Sequence, residues 1–145
     1  MVPADLQRTI AALPSPPEMI IDGLFGYLHS LEDLWDDEDK VTCMQLIKWA
    51  NHQRGRRISI DKPAVAKDVE EDVDVTVAAE WIIAVGALKE DVTVEKGTRL
   101  FVVDVGLGNS VWRGVGVGSA GGKKRKGDLG IVWGGKWAVE VELVV

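Results

Sequence analysis

The sequence predicts an α+β protein in which two or three amino-terminal helices precede a mainly antiparallel small β-barrel or sandwich. Three observations carry this. Apolar residues recur at helical spacing only in about the first 53 positions, and from Arg56 onward they alternate in short runs separated by glycines. The chain then ends in a regular alternation, with Trp137, Val139, Val141, Leu143 and Val145 on one face and Lys136, Ala138, Glu140, Glu142 and Val144 on the other. The implied organisation is an acidic helical region over 1–55, a charged connector over 56–74 and an antiparallel β module over 75–145.

In order along the chain, Ala4 to Leu13 reads as a short amphipathic helix carrying Leu6, Ile10 and Leu13, closed by Pro14. Ser15-Pro16-Pro17-Glu18 reads as the start of a second helix, with Ser15 as cap and Glu18 completing a capping box. Ile20, Leu24, Tyr27, Leu28, Leu31, Leu34 and Trp35 then form its stripe. The acids Asp36 to Asp39 suit the cap and first turn of a third helix, where they complement the positive end of its dipole. That helix turns Val41, Met44 and Ile47 inward and ends near His52-Gln53-Arg54-Gly55, antiparallel to the second. Strands are expected at 57–61, 73–77, 80–85, 91–94, 99–105 and 111–117, before the terminal hairpin. In that hairpin, burial favours pairing Trp133 with Trp137 across an irregular Gly134-Gly135 turn, since a slip of one residue exchanges the two faces.

The chain has 145 residues, 46% of them hydrophobic, enough for one real core, and no apolar run long enough to span a bilayer. An intracellular protein, cytoplasmic or nuclear, without a membrane partner is therefore expected. The lone Cys43 excludes an internal disulfide framework and a multi-cysteine zinc site. The net charge of −6 is concentrated in residues 1–53, where Arg8, Lys40 and Lys48 face nine acids. This argues against indiscriminate nucleic-acid binding while leaving a local basic site open in the balanced remainder.

Glu95-Lys96-Gly97 leading into Thr98 to Val103, then Trp112-Arg113-Gly114-Val115-Gly116, Gly130-Ile131-Val132 and Val139-Glu140-Val141, resembles a small SH3-like barrel of the KOW or Tudor-like kind. The resemblance implies a module that binds nucleic acid, peptide or protein and catalyses nothing. The aromatic cage of the Tudor group does not carry over, because the required cluster is absent from the sequence.

Among possible chemistries, Arg113 to Gly122 fails the P-loop pattern, since Lys123 is followed by Lys124 in place of Ser or Thr. The sharpest feature is Lys123-Lys124-Arg125-Lys126 on a glycine-flanked loop, with Arg54, Arg56 and Arg57 as a second cluster. Together they suggest contact with the phosphates of RNA or DNA. The competing reading is a protein–protein adaptor or oligomer-forming subunit in which Tyr27, Trp35, Met44 and Trp49 line an apolar groove rimmed by acids. With only His29 and His52 as histidines, no catalytic triad, metal spacing or cofactor motif is expected, and the protein reads as a non-enzymatic interaction module.

Overall fold

The computed structural model describes residues 4–26, 29–68, 73–88, 92, 94–106 and 137–141. Helix α1 covers Ala4–Ala11 and α2 covers Asp37–His52, with a short 3-10 turn at Leu31–Asp33. The strands are β1 (Met19–Asp22), β2 (Arg56–Ile60), β3 (Val65–Asp68), β4 (Val73–Thr76), β5 (Trp81–Val85), β6 (Arg99–Val103) and β7 (Ala138–Val141). Five of them form one sheet in the order β1-β2-β5-β6-β7, and β3 and β4 form a separate two-stranded ribbon. The pairs β1–β2, β2–β5 and β5–β6 are parallel; β6–β7 is antiparallel.

This overturns the expected helices followed by an antiparallel barrel. The protein is α/β, with a mostly parallel sheet, and the described strands form no closed barrel. The physical reason is that alternation reports which face of a strand is buried and says nothing about the direction of its neighbour. The Thr98–Val103 segment, read as the opening of an SH3-like barrel, contains β6, which lies parallel to β5. The second expected helix is also replaced. Met19-Ile20-Ile21-Asp22 is a strand paired with Arg56 to Ser59, and the chain beyond it forms a loop and a 3-10 turn. β-Branched Ile20 and Ile21 favour extension, and Gly23 and Gly26 weaken any helix through this stretch, Gly26 adopting φ 60°. The hairpin partner expected at Leu129 to Trp133 and its Gly134-Gly135 turn lie outside the described residues.

Helix α2 forms where its sequence signals lie. Asp36 is its N-cap, and the Asp36 carboxylate accepts the Glu38 N–H at 2.8 Å. Its inward residue Ile47 is fully buried and joins Ile82, Ala84, Leu100 and Val102 from the sheet, with Ala66 of the ribbon and Ala64 and Val77 beside it, in one core. The register explains which sheet face is inside. Asp22, Ser59, Ile82, Leu100 and Val141 occupy one row across the five strands, with Ala84, Val102 and Val139 in the next row of the same face.

Helix and ribbon are locked by polar contacts. The Asn51 amide donates to the Thr76 carbonyl at 2.8 Å and its oxygen accepts the Ala78 N–H at 2.8 Å. The Lys48 ammonium meets the Asp68 carboxylate, which is buried at 2% exposure. On the opposite face of the sheet the guanidiniums of Arg56 and Arg99 each lie 5.6 Å from the Trp81 ring. Arg99 also forms a two-pronged pair with Glu140, at 2.7 and 2.8 Å.

This packing can be tested in two ways. A Cβ at Gly55 would sit 2.2 Å from the Pro17 carbonyl oxygen, a backbone atom with no rotamer to escape into. Gly55→Ala should therefore destabilise the fold by about 2 kcal/mol or more, read as a lowered urea midpoint. The Glu140 carboxyl is held below the usual glutamate range by its hydrogen bonds from Arg99. A lowered folded-state value adds stability above the unfolded value and loses it as pH falls through the folded one. Arg99→Gln should accordingly remove that acid-range dependence, measured as urea midpoint against pH in the variant and the parent.

Candidate functional site

At the carboxyl ends of β1 and β2 the chain leaves the sheet twice, through the Gly23–Ser30 loop and the Asp61–Ala64 loop. In open parallel sheets ligands are received outside the carboxyl ends of the strands, among the loops that leave them. Here that region holds a cleft of about 170 Å³ lined by Phe25, His29, Ser30, Lys62, Pro63, Ala64 and Val65. Its walls thus carry an imidazole, a hydroxyl and an ammonium against one aromatic ring and aliphatic carbon.

Two aspartates build the cleft. Asp22 ends β1 on the core face and is 7% exposed. Its carboxylate accepts the Ser59 hydroxyl at 2.8 Å, the Ala64 N–H at 2.8 Å and the Leu24 N–H at 3.2 Å. One side chain therefore fixes the neighbouring strand and both loops that border the cleft. Asp61 follows β2 in the left-handed region, at φ 64°, the one described residue other than glycine with such a backbone. Asp tolerates this conformation better than most residues. Its N–H donates to the Ile83 carbonyl and its carboxylate accepts the Val85 N–H, both at 2.9 Å, so it also caps the end of β5. The turn it imposes sends Lys62 and Pro63 to the cleft wall.

His29 stands at the rim, its side chain 72% exposed and its Nδ1 3.9 Å from the Asp33 carboxylate. The sequence places it on a helix, whereas the structure places it in the loop before the 3-10 turn. Ser30 is positioned by the Asp33 carboxylate, which accepts its N–H at 2.7 Å. Among the described residues no cluster of three His, Cys, Asp or Glu side chains is arranged to hold a metal ion. Cys43 lies on α2, away from the cleft lining, and burial followed by the nearby Asp39 raises its thiol above the ordinary range, which disfavours the reactive thiolate.

The residues singled out from sequence fall elsewhere. Lys123, Lys124, Arg125 and Lys126 lie outside the described residues, as does Tyr27. Arg54 is exposed, Arg56 stacks over Trp81, and Arg57 is committed to the carbonyls of Ala78, Gln53 and Gly55 at 2.7, 3.0 and 3.2 Å. The three arginines are thus divided between solvent, a ring face and the backbone. Trp35 is fully exposed, Met44 packs on the core, and Trp49 lines a separate apolar pocket with Ile20, Leu24 and Leu46, so these three do not line a common groove. Sequence reasoning passed over Asp22 and Asp61, yet both carry a visible signal. Ile20-Ile21-Asp22-Gly23 and Ile58-Ser59-Ile60-Asp61-Lys62-Pro63 each end an apolar strand in aspartate directly before turn residues.

Asp22→Ala leaves three donors without their acceptor and should lower stability by about 2–4 kcal/mol, read by urea unfolding.

Comparison with known proteins gives the cleft a context. No curated protein and no solved structure matches this chain. The family model described as YjeF-related protein N-terminus matches residues 2–90, more than half of the chain and the whole stretch that supplies α1, α2, β1 to β5 and the cleft. This overturns both the SH3-like resemblance and the function drawn from it. A nucleic-acid-binding module and an adaptor acting through acidic helices are set aside, since the family is associated with enzymes. With a parallel sheet, an aspartate-built cleft at its carboxyl end and a family match across that region, the chain belongs to the family of YjeF-related protein N-termini.

Proposed function

We propose that this chain binds a small polar ligand, of the nucleotide type, in the cleft between the β1 and β2 loops, and that it serves an enzymatic reaction on that ligand. The observation that supports this most is the placement of His29, Ser30 and Lys62 around one opening at the carboxyl ends of adjacent parallel strands. An NAD(P)HX epimerase is one of the enzymes associated with the family. The substrate class this suggests is a hydrated reduced nicotinamide nucleotide.

The chemistry of the lining suits part of such a molecule. At about 170 Å³ the opening takes one ring or one phosphate, below the roughly 300–1,000 Å³ usual for a complete ligand pocket. Lys62 supplies positive charge for a phosphate or carboxamide oxygen, Ser30 a hydroxyl, and Phe25 a face for a flat ring. His29 is the general acid–base group of the lining, and its exposure at the rim lets a bound ligand reach it. Asp22 holds the loops in place and takes no part in the chemistry.

Hydrated NADH, NADH and ADP-ribose titrated into the full chain by calorimetry test this reading. Binding is expected for at least the hydrated nucleotide, weakened about tenfold or more in Lys62→Ala. Interconversion of the hydrate's epimers, followed by chromatography, should be accelerated by the parent chain and slowed in His29→Ala. Absence of binding by all three compounds removes the proposal.

A further inference from the structure

Ser30 lines the cleft and also stands at the head of an acidic stretch. The nine residues that follow it hold six acids, Glu32, Asp33, Asp36, Asp37, Glu38 and Asp39, and no base. All six acids are exposed, and of the nine residues only Leu31 is buried. The one regular feature between Ser30 and Asp36 is the 3-10 turn at Leu31–Asp33. It is closed by two hydrogen bonds of 3.2 Å, from the Asp33 N–H to the Ser30 carbonyl and from the Leu34 N–H to the Leu31 carbonyl. Drawing this segment out into an extended form costs those bonds, the Ser30–Asp33 contact and the burial of Leu31, a local opening that leaves the sheet intact.

A serine in an exposed segment, followed by acids at the second and third positions and again further on, has the form that an acid-directed serine kinase takes as substrate. The basic groove of such an enzyme is complementary to carboxylates downstream of the hydroxyl. We propose that Ser30 is phosphorylated by a kinase of this kind and that the phosphate closes the cleft to anionic ligands. In the transfer, Ser30 Oγ forms a bond to the γ-phosphorus of ATP while the bond from that phosphorus to the β,γ-bridging oxygen breaks. ADP leaves, and the hydroxyl proton passes to the catalytic base of the kinase.

The surroundings of Ser30 decide where the phosphate turns. Its Oγ is 3.4 Å from Asp33 Oδ2, which also accepts the Ser30 N–H at 2.7 Å. The Ser30 side chain is also the first cause that holds the Glu32 carboxyl below the usual glutamate range, through a hydrogen bond. The hydroxyl thus sits among carboxylates, and a group carrying nearly two negative charges is repelled from both. On the acidic side Lys40 is engaged by Asp37 at 3.1 Å, whereas Lys62 shares the cleft lining with Ser30. The phosphate therefore turns from the acidic side toward the opening and pairs with the Lys62 ammonium, the group otherwise offered to a ligand's phosphate. A cleft of about 170 Å³ is then filled from within. The loss of binding rests on the nucleotide reading of the cleft; the modification does not.

Incubation of the full chain with casein kinase II, an acid-directed enzyme, and ATP with magnesium, followed by peptide mapping, tests the modification. About one phosphate per chain is expected at Ser30, added at least about tenfold more slowly in Glu32→Gln/Asp33→Asn. No phosphate at Ser30, or a rate indifferent to the loss of the two carboxylates, would overturn the proposal. Closure of the cleft is read with two probes. Calorimetry with hydrated NADH should give an affinity at least about tenfold lower for the phosphorylated chain than for the parent. Acetylation of Lys62 by an N-hydroxysuccinimide ester, followed by mass spectrometry, should slow at least about threefold on phosphorylation, with the exposed Lys96 as internal reference. Unchanged nucleotide affinity, or an unchanged ratio of Lys62 to Lys96 acetylation, would overturn the closure. A parent that binds no nucleotide removes the nucleotide reading and leaves the Lys62 measurement to decide the closure.

Discussion

The carboxylate of Asp22 is the constraint on which the rest of the structure depends. A charge at 7% exposure costs several kcal/mol in desolvation unless it is met by hydrogen bonds, and Asp22 is met by three. The donors come from different parts of the chain: the residue two beyond it, the carboxyl end of the adjacent strand, and the entry to the β3–β4 ribbon. Electrostatic need thereby does what packing alone does not, holding an edge strand of four residues in register and setting the separation of two loops. The cleft is the space left between those loops once the carboxylate has drawn both inward. Asp61 performs the complementary task on the next strand, where its left-handed backbone and its bonds to Ile83 and Val85 turn the chain outward.

How much of this was legible in the sequence depended on whether the signal was local. Helix α2 was legible because its cap, acidic first turn and inward Ile47 lie within one segment. Strands β2, β6 and β7 were legible from alternation: Leu100 and Val102 are buried, and Val139 and Val141 lie half-buried on the same face. Residues 19–35 were misread because a strand, a loop and a 3-10 turn in succession happened to place apolar residues three and four apart. Sheet direction was not legible at all. It is fixed by crossovers such as the one from Asp22 to Arg56, which contains a loop, a 3-10 turn and a complete helix. The site was hidden for a related reason, since Asp22, Ser59 and Ala64 meet only after β1 and β2 have paired.

The cations illustrate the same dependence on context. Arg54, Arg56 and Arg57 look alike as a run of charge, but the fold gives each a different neighbour. Arg57 is spent on three carbonyls and Arg56 on an indole face, so counting charges along the sequence overstates the potential available to a ligand there. On the sheet face remote from α2, Arg99 performs a structural task of the same order. It neutralises Glu140, shares Trp81 with Arg56 and lies 5.0 Å from the Phe101 ring, tying β5, β6 and β7 together at their surface.

The β3–β4 ribbon carries a consequence for the order in which the molecule assembles. Every parallel pair of the main sheet joins segments separated by a long crossover, so each must close a large loop before its bonds form. The ribbon pairs Asp68 with Val73 across a short connection, and among the described strands it has the most local partnership. Asn51 and Lys48 of α2 clasp the ribbon across 25 and 20 residues of sequence, so once it has closed the loss of conformational freedom left to α2 is smaller, and Ile47, Ala66 and Val77 meet in one core.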